Sequence, residues 1–241
     1  IQNKRSKGLK ILKTKSITFT NKGYVEYTHN LITSIQKFQS DVDLRIFTLD
    51  DESYEYFNNI HHDVVKYETN VSDEFVGQKS EGFGNLMVVK FEIIYESLKN
   101  YDYVLYIDGD IVVKEKIMDY LISKSKYKDI VFQNDKRPSK PNLINMCAGF
   151  MFIKSSKKTL KFFNPENIDK DKFNKYTTHD QTHINRNLAK FNYVSLPLDL
   201  FPNGPHYYKN FETLKPKIIH FNYLLGEKKK EEMIKYNQWF I

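Results

Sequence analysis

Two aspartates one residue apart end an apolar run: Tyr103-Val104-Leu105-Tyr106-Ile107 leads directly into Asp108-Gly109-Asp110-Ile111-Val112-Val113. Carboxylates this close repel each other unless a cation or a donor lies between them. A hard divalent ion with oxygen ligands is the natural occupant, and the intervening glycine permits a tight turn or a close backbone approach. The plainer reading is a strand-end turn, where Asp and Gly are common on conformational grounds alone. The apolar run favours chemistry, because a strand buried on both faces would carry both carboxylates to its carboxyl end. Further polar groups follow downstream, each with an ordinary structural explanation. In Thr178-His179-Asp180-Gln181, Thr178 and Gln181 are spaced as a helix capping box and Asp180 suits the helix dipole. Phe201-Pro202-Asn203-Gly204 reads as turn chemistry. His220 alone reads as a structural or surface histidine.

These groups need a frame, and the periodicity supplies one. Residues 16–20 (SITFT) read as a strand, and Tyr24, Tyr27, Leu31, Ile35 and Phe38 then recur at the spacing of one buried helix face. Residues 44–49 (LRIFTL) and 64–67 are further strands. A loop bearing Gly77, Gly82 and Gly84 leads into a helix with Leu86, Val89 and Ile93 on one face. Tyr103–Ile107 is a strand buried on both sides, and strands recur at 130–132 and at 150–153. Cys147-Ala148-Gly149 forms a small-residue entry to the last of these. Helices are expected over about 180–190 and after Lys228. Such alternation predicts an α/β fold with a mostly parallel sheet, in one domain covering residues 1–241. Ligands of open parallel sheets gather beyond the carboxyl ends of the strands, which here are Thr20, Asp50 and Asp108.

Composition narrows the field. The 241 residues are 40% hydrophobic and 15% aromatic, too apolar for a disordered chain. A single cysteine rules out a disulfide framework and a Cys-rich zinc site. No apolar run approaches the roughly 18 residues that span a bilayer, and mean hydropathy is −0.59. A soluble, cytoplasmic protein is the expectation. A chain opening on Ile1 also leaves room for a lost upstream anchor or signal. The net charge of +7 suits an anionic partner. The lysines are scattered, however, and Lys228-Lys229-Lys230 is the one tight run, so nucleic acid is not expected.

Two enzyme families place an acidic pair at such a strand end. Haloacid-dehalogenase-like phosphatases use D-x-D-x-T/V, which Asp108-Gly109-Asp110-Ile111-Val112 fits, but that motif sits at the first strand, whereas 107 residues precede Asp108. A sugar-binding module that has lost activity is the non-enzymatic alternative, against which the intact Asp108, Asp110 and His220 argue. In their order, Asp108-Gly109-Asp110, Ala148-Gly149-Phe150, Asp180-Gln181, Phe201-Pro202-Asn203-Gly204 and the tail from His220 and Asn222 through Gly226 and Lys230 to Trp239 resemble the nucleotide-diphospho-sugar transferase family. These are glycosyltransferases of GT-A fold, related to glycogenin-like and bacterial galactosyltransferases, and the likeness covers nearly the whole chain.

The resemblance implies a nucleoside diphosphate sugar as donor and a glycan or other hydroxyl as acceptor. It implies Asp108, Asp110 and His220 as metal ligands, and the imidazole favours Mn²⁺, with Mg²⁺ as the alternative. Lys90 is implied to touch the donor sugar or diphosphate, and Gly226 and Lys230 to close on the diphosphate. Thr18, Phe19, Thr20 and Asp50 are implied to meet the nucleotide, with Gly109, Ala148 and Gly149 lining the donor site. Asp180 and Gln181 would flank the reacting sugar, in a reaction that retains anomeric configuration. Cys147 departs from relatives that often carry Asn there.

Overall fold

Val, Ile, Phe and Tyr dominate the segments that become strands, as β-branched and aromatic side chains suit a pleated, buried surface. The structure, a computed structural model, describes residues 12–68, 83–137, 139, 142–169 and 179–241. The expected loop at Gly77 and Gly82 and the Thr178 half of the capping box fall outside those residues. The strands are β1 (Thr14–Thr20), β2 (Leu44–Thr48), β3 (Val64–Lys66), β4 (Tyr103–Ile107), β5 (Ile111–Val113), β6 (Ile130–Asn134), β7 (Met146–Lys154), β8 (Tyr193–Ser195) and β9 (Ile218–His220). The α-helices are α1 (Val25–Lys37), α2 (Asp51–Asn58), α3 (Phe83–Asn100), α4 (Met118–Lys124), α5 (Lys157–Phe163), α6 (Asp180–Arg186), α7 (Gly204–Asn210) and α8 (Glu227–Lys235).

Among the described residues a seven-stranded sheet runs in the order β3-β2-β1-β4-β7-β6-β8. Neighbours are parallel except at β7, which runs against both β4 and β6. All five residues of β4 are buried. Val104 and Tyr106 join the core under α3 and α5, while Leu105 and Ile107 join the core on the opposite face with Leu31 and Phe57. Burying a large aliphatic or aromatic side chain contributes about 1.5–3 kcal/mol, so the strand that ends on Asp108 is among the best anchored in the sheet. The expected α/β frame, mostly parallel, is the one observed.

Two departures from regularity shape the site. β5 pairs antiparallel with β9, placing Ile111 opposite His220, and Phe221 N donates to Asp110 O at 3.1 Å. The C-terminal chain thereby returns to the acidic turn. Between β6 and β7 the register jumps: Phe132 faces Met151 but Asn134 faces Met146. Residues 147–150 of β7 thus stand opposite the single residue Gln133. Such bulges bend a strand and re-aim its side chains.

Candidate active site

The carboxyl ends of β1, β4 and β6 surround a cavity of about 760 Å³ whose lining includes Phe19, Thr20, Lys90, Asp108, Asp110 and Gln181. Asp108, Asp110 and His220 each turn one ligand atom inward, and these atoms lie within 4.8 Å of one another. His220 Nε2 is 3.3 Å from Asp110 Oδ1 and 4.0 Å from Asp108 Oδ2. The tautomer of this histidine follows from Gln133. Gln133 Nε2 donates to the carbonyls of Phe201 and Pro202 at 3.2 and 2.9 Å, so its Oε1 must accept from His220 Nδ1, 2.8 Å away. Nε2 of the neutral ring then presents a lone pair to the carboxylates.

This donor set fits a divalent cation. Asp110 Oδ1 is buried without a hydrogen-bond donor. A lone pair of His220 facing it would be repulsive with nothing positive between them. Gly149 also leaves space there, since a Cβ on it would lie 2.3 Å from Asp108 Oδ2 and 2.6 Å from His220 Cε1.

Two buried lysines complete the charge pattern. Lys90 Nζ donates to Asp180 Oδ2 at 2.6 Å and to Asp108 Oδ1 at 3.3 Å, and lies 4.6 Å from the centre of the Tyr106 ring. Burial alone would lower the Lys90 pKa, but Asp108 and Asp180 outweigh it and hold the pKa above the usual lysine value. Burial would likewise raise Asp180, yet Lys90 and His179 hold its carboxyl below the ordinary range. Lys229 Nζ donates to Asp110 Oδ2 and, at 2.6 Å, to Tyr24 Oη. Against the cost of burial, the Lys229 ammonium holds the Asp110 carboxyl below the ordinary range.

The nucleotide-diphospho-sugar transferase profile matches residues 43–234, most of the chain and a span that includes Asp108, Asp110 and His220. The chain belongs to that family. A UDP-galactose:fucoside alpha-3-galactosyltransferase of Dictyostelium discoideum is 25% identical to it, the alignment covering 94% of this chain and 43% of that protein. The chain therefore spans less than half the length of that curated relative. Among solved structures, the glycosyltransferase GlyE of Streptococcus pneumoniae TIGR4 aligns with a TM-score of 0.62 at 16% identity, over 95% of this chain and 61% of its own. The galactosyltransferase LgtC, solved with donor and acceptor sugar analogs, aligns with a TM-score of 0.53 at 12% identity over 86% of each chain. At such identities the likeness establishes the GT-A fold. Family membership sets the phosphatase reading aside.

Residue by residue, the structure of this family member gathers most of the positions picked from sequence. Phe19, Thr20, Lys90, Asp108, Gly109, Asp110, Ala148, Gly149, Asp180, Gln181 and His220 all line the cavity. Four others do not. Lys230 pairs with exposed Glu26 at 2.8 Å and lies over Trp239, because the helical turn points it away from the acidic pair. Lys229, one residue earlier, is the lysine that faces the acidic pair and lines the cavity. Asp50 caps α2, accepting from Ser53 N and Lys22 N at 2.7 Å each, which occupies its carboxylate in the turn. Thr18 is wholly buried within β1 rather than at its end. Gly226 sits beside the site with φ +51 at the entry to α8, where a side chain would be strained. Sequence reasoning missed Gln133 and Asp135. Both lie at the carboxyl end of β6, where the strand-end rule also points.

Proposed function

We propose that this chain transfers a sugar from a nucleoside diphosphate sugar to a hydroxyl of a glycan or similar acceptor, with retention at the anomeric carbon. The observation that carries the proposal is the Asp108, Asp110 and His220 cluster, with Asp110 Oδ1 buried and without a donor at the cavity wall. The name of the Dictyostelium relative supports UDP-galactose as the first donor to try and a fucoside as the first acceptor.

In this reading Asp108, Asp110 and His220 hold Mn²⁺, with Mg²⁺ as the alternative, since imidazole is a softer ligand than carboxylate. Such an ion, when bound, neutralises charge on the departing diphosphate. Lys229 leaves Asp110 to pair with diphosphate oxygens. Lys90, clamped between Asp108 and Asp180, presents a fixed positive charge near the leaving group. Phe19 and Thr20 meet the nucleotide. The anomeric C–O bond breaks with its electron pair left on the diphosphate. The acceptor oxygen bonds to the same face, and its proton passes to a diphosphate oxygen. Gln181 has no useful basicity, and its amide oxygen can stabilise positive charge at the anomeric carbon.

The deciding experiment is a screen of sugar nucleotides for slow hydrolysis in Mn²⁺, without acceptor. Release of nucleoside diphosphate from one donor, lost in Asp110→Asn, is expected. If no sugar nucleotide is bound or cleaved, the reading fails.

A further inference from the structure

Asp135 follows β6 by one residue and has 2% of its surface exposed. Five side-chain donors converge on its carboxylate. Oδ1 accepts from Asn222 Nδ2 at 2.9 Å and Asn203 Nδ2 at 3.0 Å. Oδ2 accepts from Tyr223 Oη at 2.6 Å, Gln181 Nε2 at 2.8 Å and Asn145 Nδ2 at 3.2 Å. A carboxylate offers about four lone-pair positions, so this one is saturated. All five donors are neutral, and their dipoles do the work of a counter-ion.

The five donors come from four places: the segment before β7, the first turn of α6, the cap of α7, and the segment that follows His220 at the end of β9. Asn203 and Asn222 were recognisable only as motif letters, and their physical task is here. The consequence for Gln181 is specific. Its Nε2 lies between two acceptors, Asp135 Oδ2 at 2.8 Å and Asn145 Oδ1 at 3.2 Å, so the amide has one orientation. Its Oε1 is left with a single long contact from Ala148 N at 3.4 Å. A carboxylate that accepts from the N–H side of an amide also polarises it and enriches the oxygen in electron density.

We propose that Asp135 is a positioning residue for the transfer reaction, fixing and polarising the Gln181 amide so that its oxygen, not its nitrogen, serves the sugar. This rests on the transfer reading above. Asp135 touches neither donor nor metal ligand in this role; it acts through Gln181.

Asp135→Asn converts the common acceptor into a group that also donates, against neighbours that already donate. The kcat should fall roughly 10- to 100-fold, as when a partner that orients a working residue is removed. The KM for donor should change by less than about threefold. In a Gln181→Ala background the same substitution should lower kcat by less than about threefold, because the two changes disable one device. A second readout needs no turnover. The side-chain ¹⁵NH₂ resonances of Gln181, identified by their loss in Gln181→Ala, should shift and exchange faster in Asp135→Asn. If that variant does not fold, Asn145→Ala removes the other acceptor of the same amide and should move the same resonances with a smaller kcat loss. Unmoved resonances in the folded variants, or equal kcat losses in both backgrounds, overturn the positioning role. Absence of donor turnover in the unaltered protein would instead remove the transfer reading.

Discussion

The ammonium of Lys229 covers one oxygen of Asp110, while the other, Oδ1, lies 3.3 Å from His220 Nε2 without a donor. One carboxylate thus faces an internal cation through one oxygen and the imidazole through the other. Removing the ammonium should separate these two contacts. Lys229→Met is expected to tighten Mn²⁺ binding in the absence of nucleotide by roughly tenfold, because a neighbouring positive charge is lost. The same variant should bind nucleoside diphosphate more weakly by a similar factor. Calorimetric titration of each ligand reads both effects. Weaker Mn²⁺ binding without nucleotide would show that Lys229 supports the ion rather than competing with it.

Gly149→Ala tests the space beside the cluster. The added methyl would meet Asp108 Oδ2 at 2.3 Å and His220 Cε1 at 2.6 Å, so one of the two groups must move. Overpacking of this kind costs about 1–3 kcal/mol, and the loss is expected mainly in Mn²⁺ affinity. Thermal unfolding with and without Mn²⁺ should show a smaller ion-induced stabilisation than in the unaltered chain. Equal stabilisation would mean that the ligands adjust freely.

Acid sensitivity should trace to a second charge cluster, beneath β1 and β2. Asp63 accepts from Lys15 at 2.6 Å and from Arg45 at 2.8 Å. Burial would raise its pKa, but Arg45 and Lys15 outweigh burial and hold it below the usual carboxylate value. The unfolded chain then binds the proton more readily, so this stabilisation is complete above about pH 3.9 and fades as pH falls through the lower native value. Asp63→Asn should cost about 1.5–3 kcal/mol near neutrality, as for a hydrogen bond to a charged group. Urea midpoints should converge with those of the unaltered protein in strong acid. A constant gap at every pH would place the effect in packing instead.

Stereochemistry tests the reaction itself. An α-linked donor should give an α-linked product, read by proton NMR of the new linkage before mutarotation can intervene. Gln181→Ala should slow transfer by roughly 10- to 100-fold without abolishing it, since the amide stabilises charge but takes no part in proton transfer. A β-linked product would send the search to a carboxylate acting as base.

Legibility in the sequence followed the kind of interaction involved. The strand at Tyr103–Ile107 and the acidic turn were readable because burial on both faces leaves an unbroken apolar run. Lys90 lay on a helix whose apolar period was already visible. The choice between Lys229 and Lys230 was open to the same reasoning: Met233 is one helical turn beyond Lys229, and both are buried. Asp50 was expected to meet the nucleotide because it follows a strand, and helix capping explains an aspartate there equally well. Gln133 and Asp135 act through partners that are 68 or more residues away in Asn203, Pro202, His220 and Asn222. No local pattern encodes such long-range convergence. The folded chain alone brings those letters together.

The bulge opposite Gln133 has a consequence for how this site can diversify. Against β6, residues 147–150 have no one-to-one partners, and pairing resumes at Asn134 with Met146 on one side and at Phe132 with Met151 on the other. On its other side the stretch is held by β4, through the pairing of Phe150 with Ile107 and the bond from Asp108 N to Gly149 O at 2.7 Å, so that Cys147 stands outside the pairings with both neighbours. Cys147 stands in that stretch, its Sγ 3.6 Å from His220 Nδ1, and it lines the cavity. A substitution at position 147 can therefore change the group offered to a donor beside His220 without displacing a paired residue of either neighbouring strand.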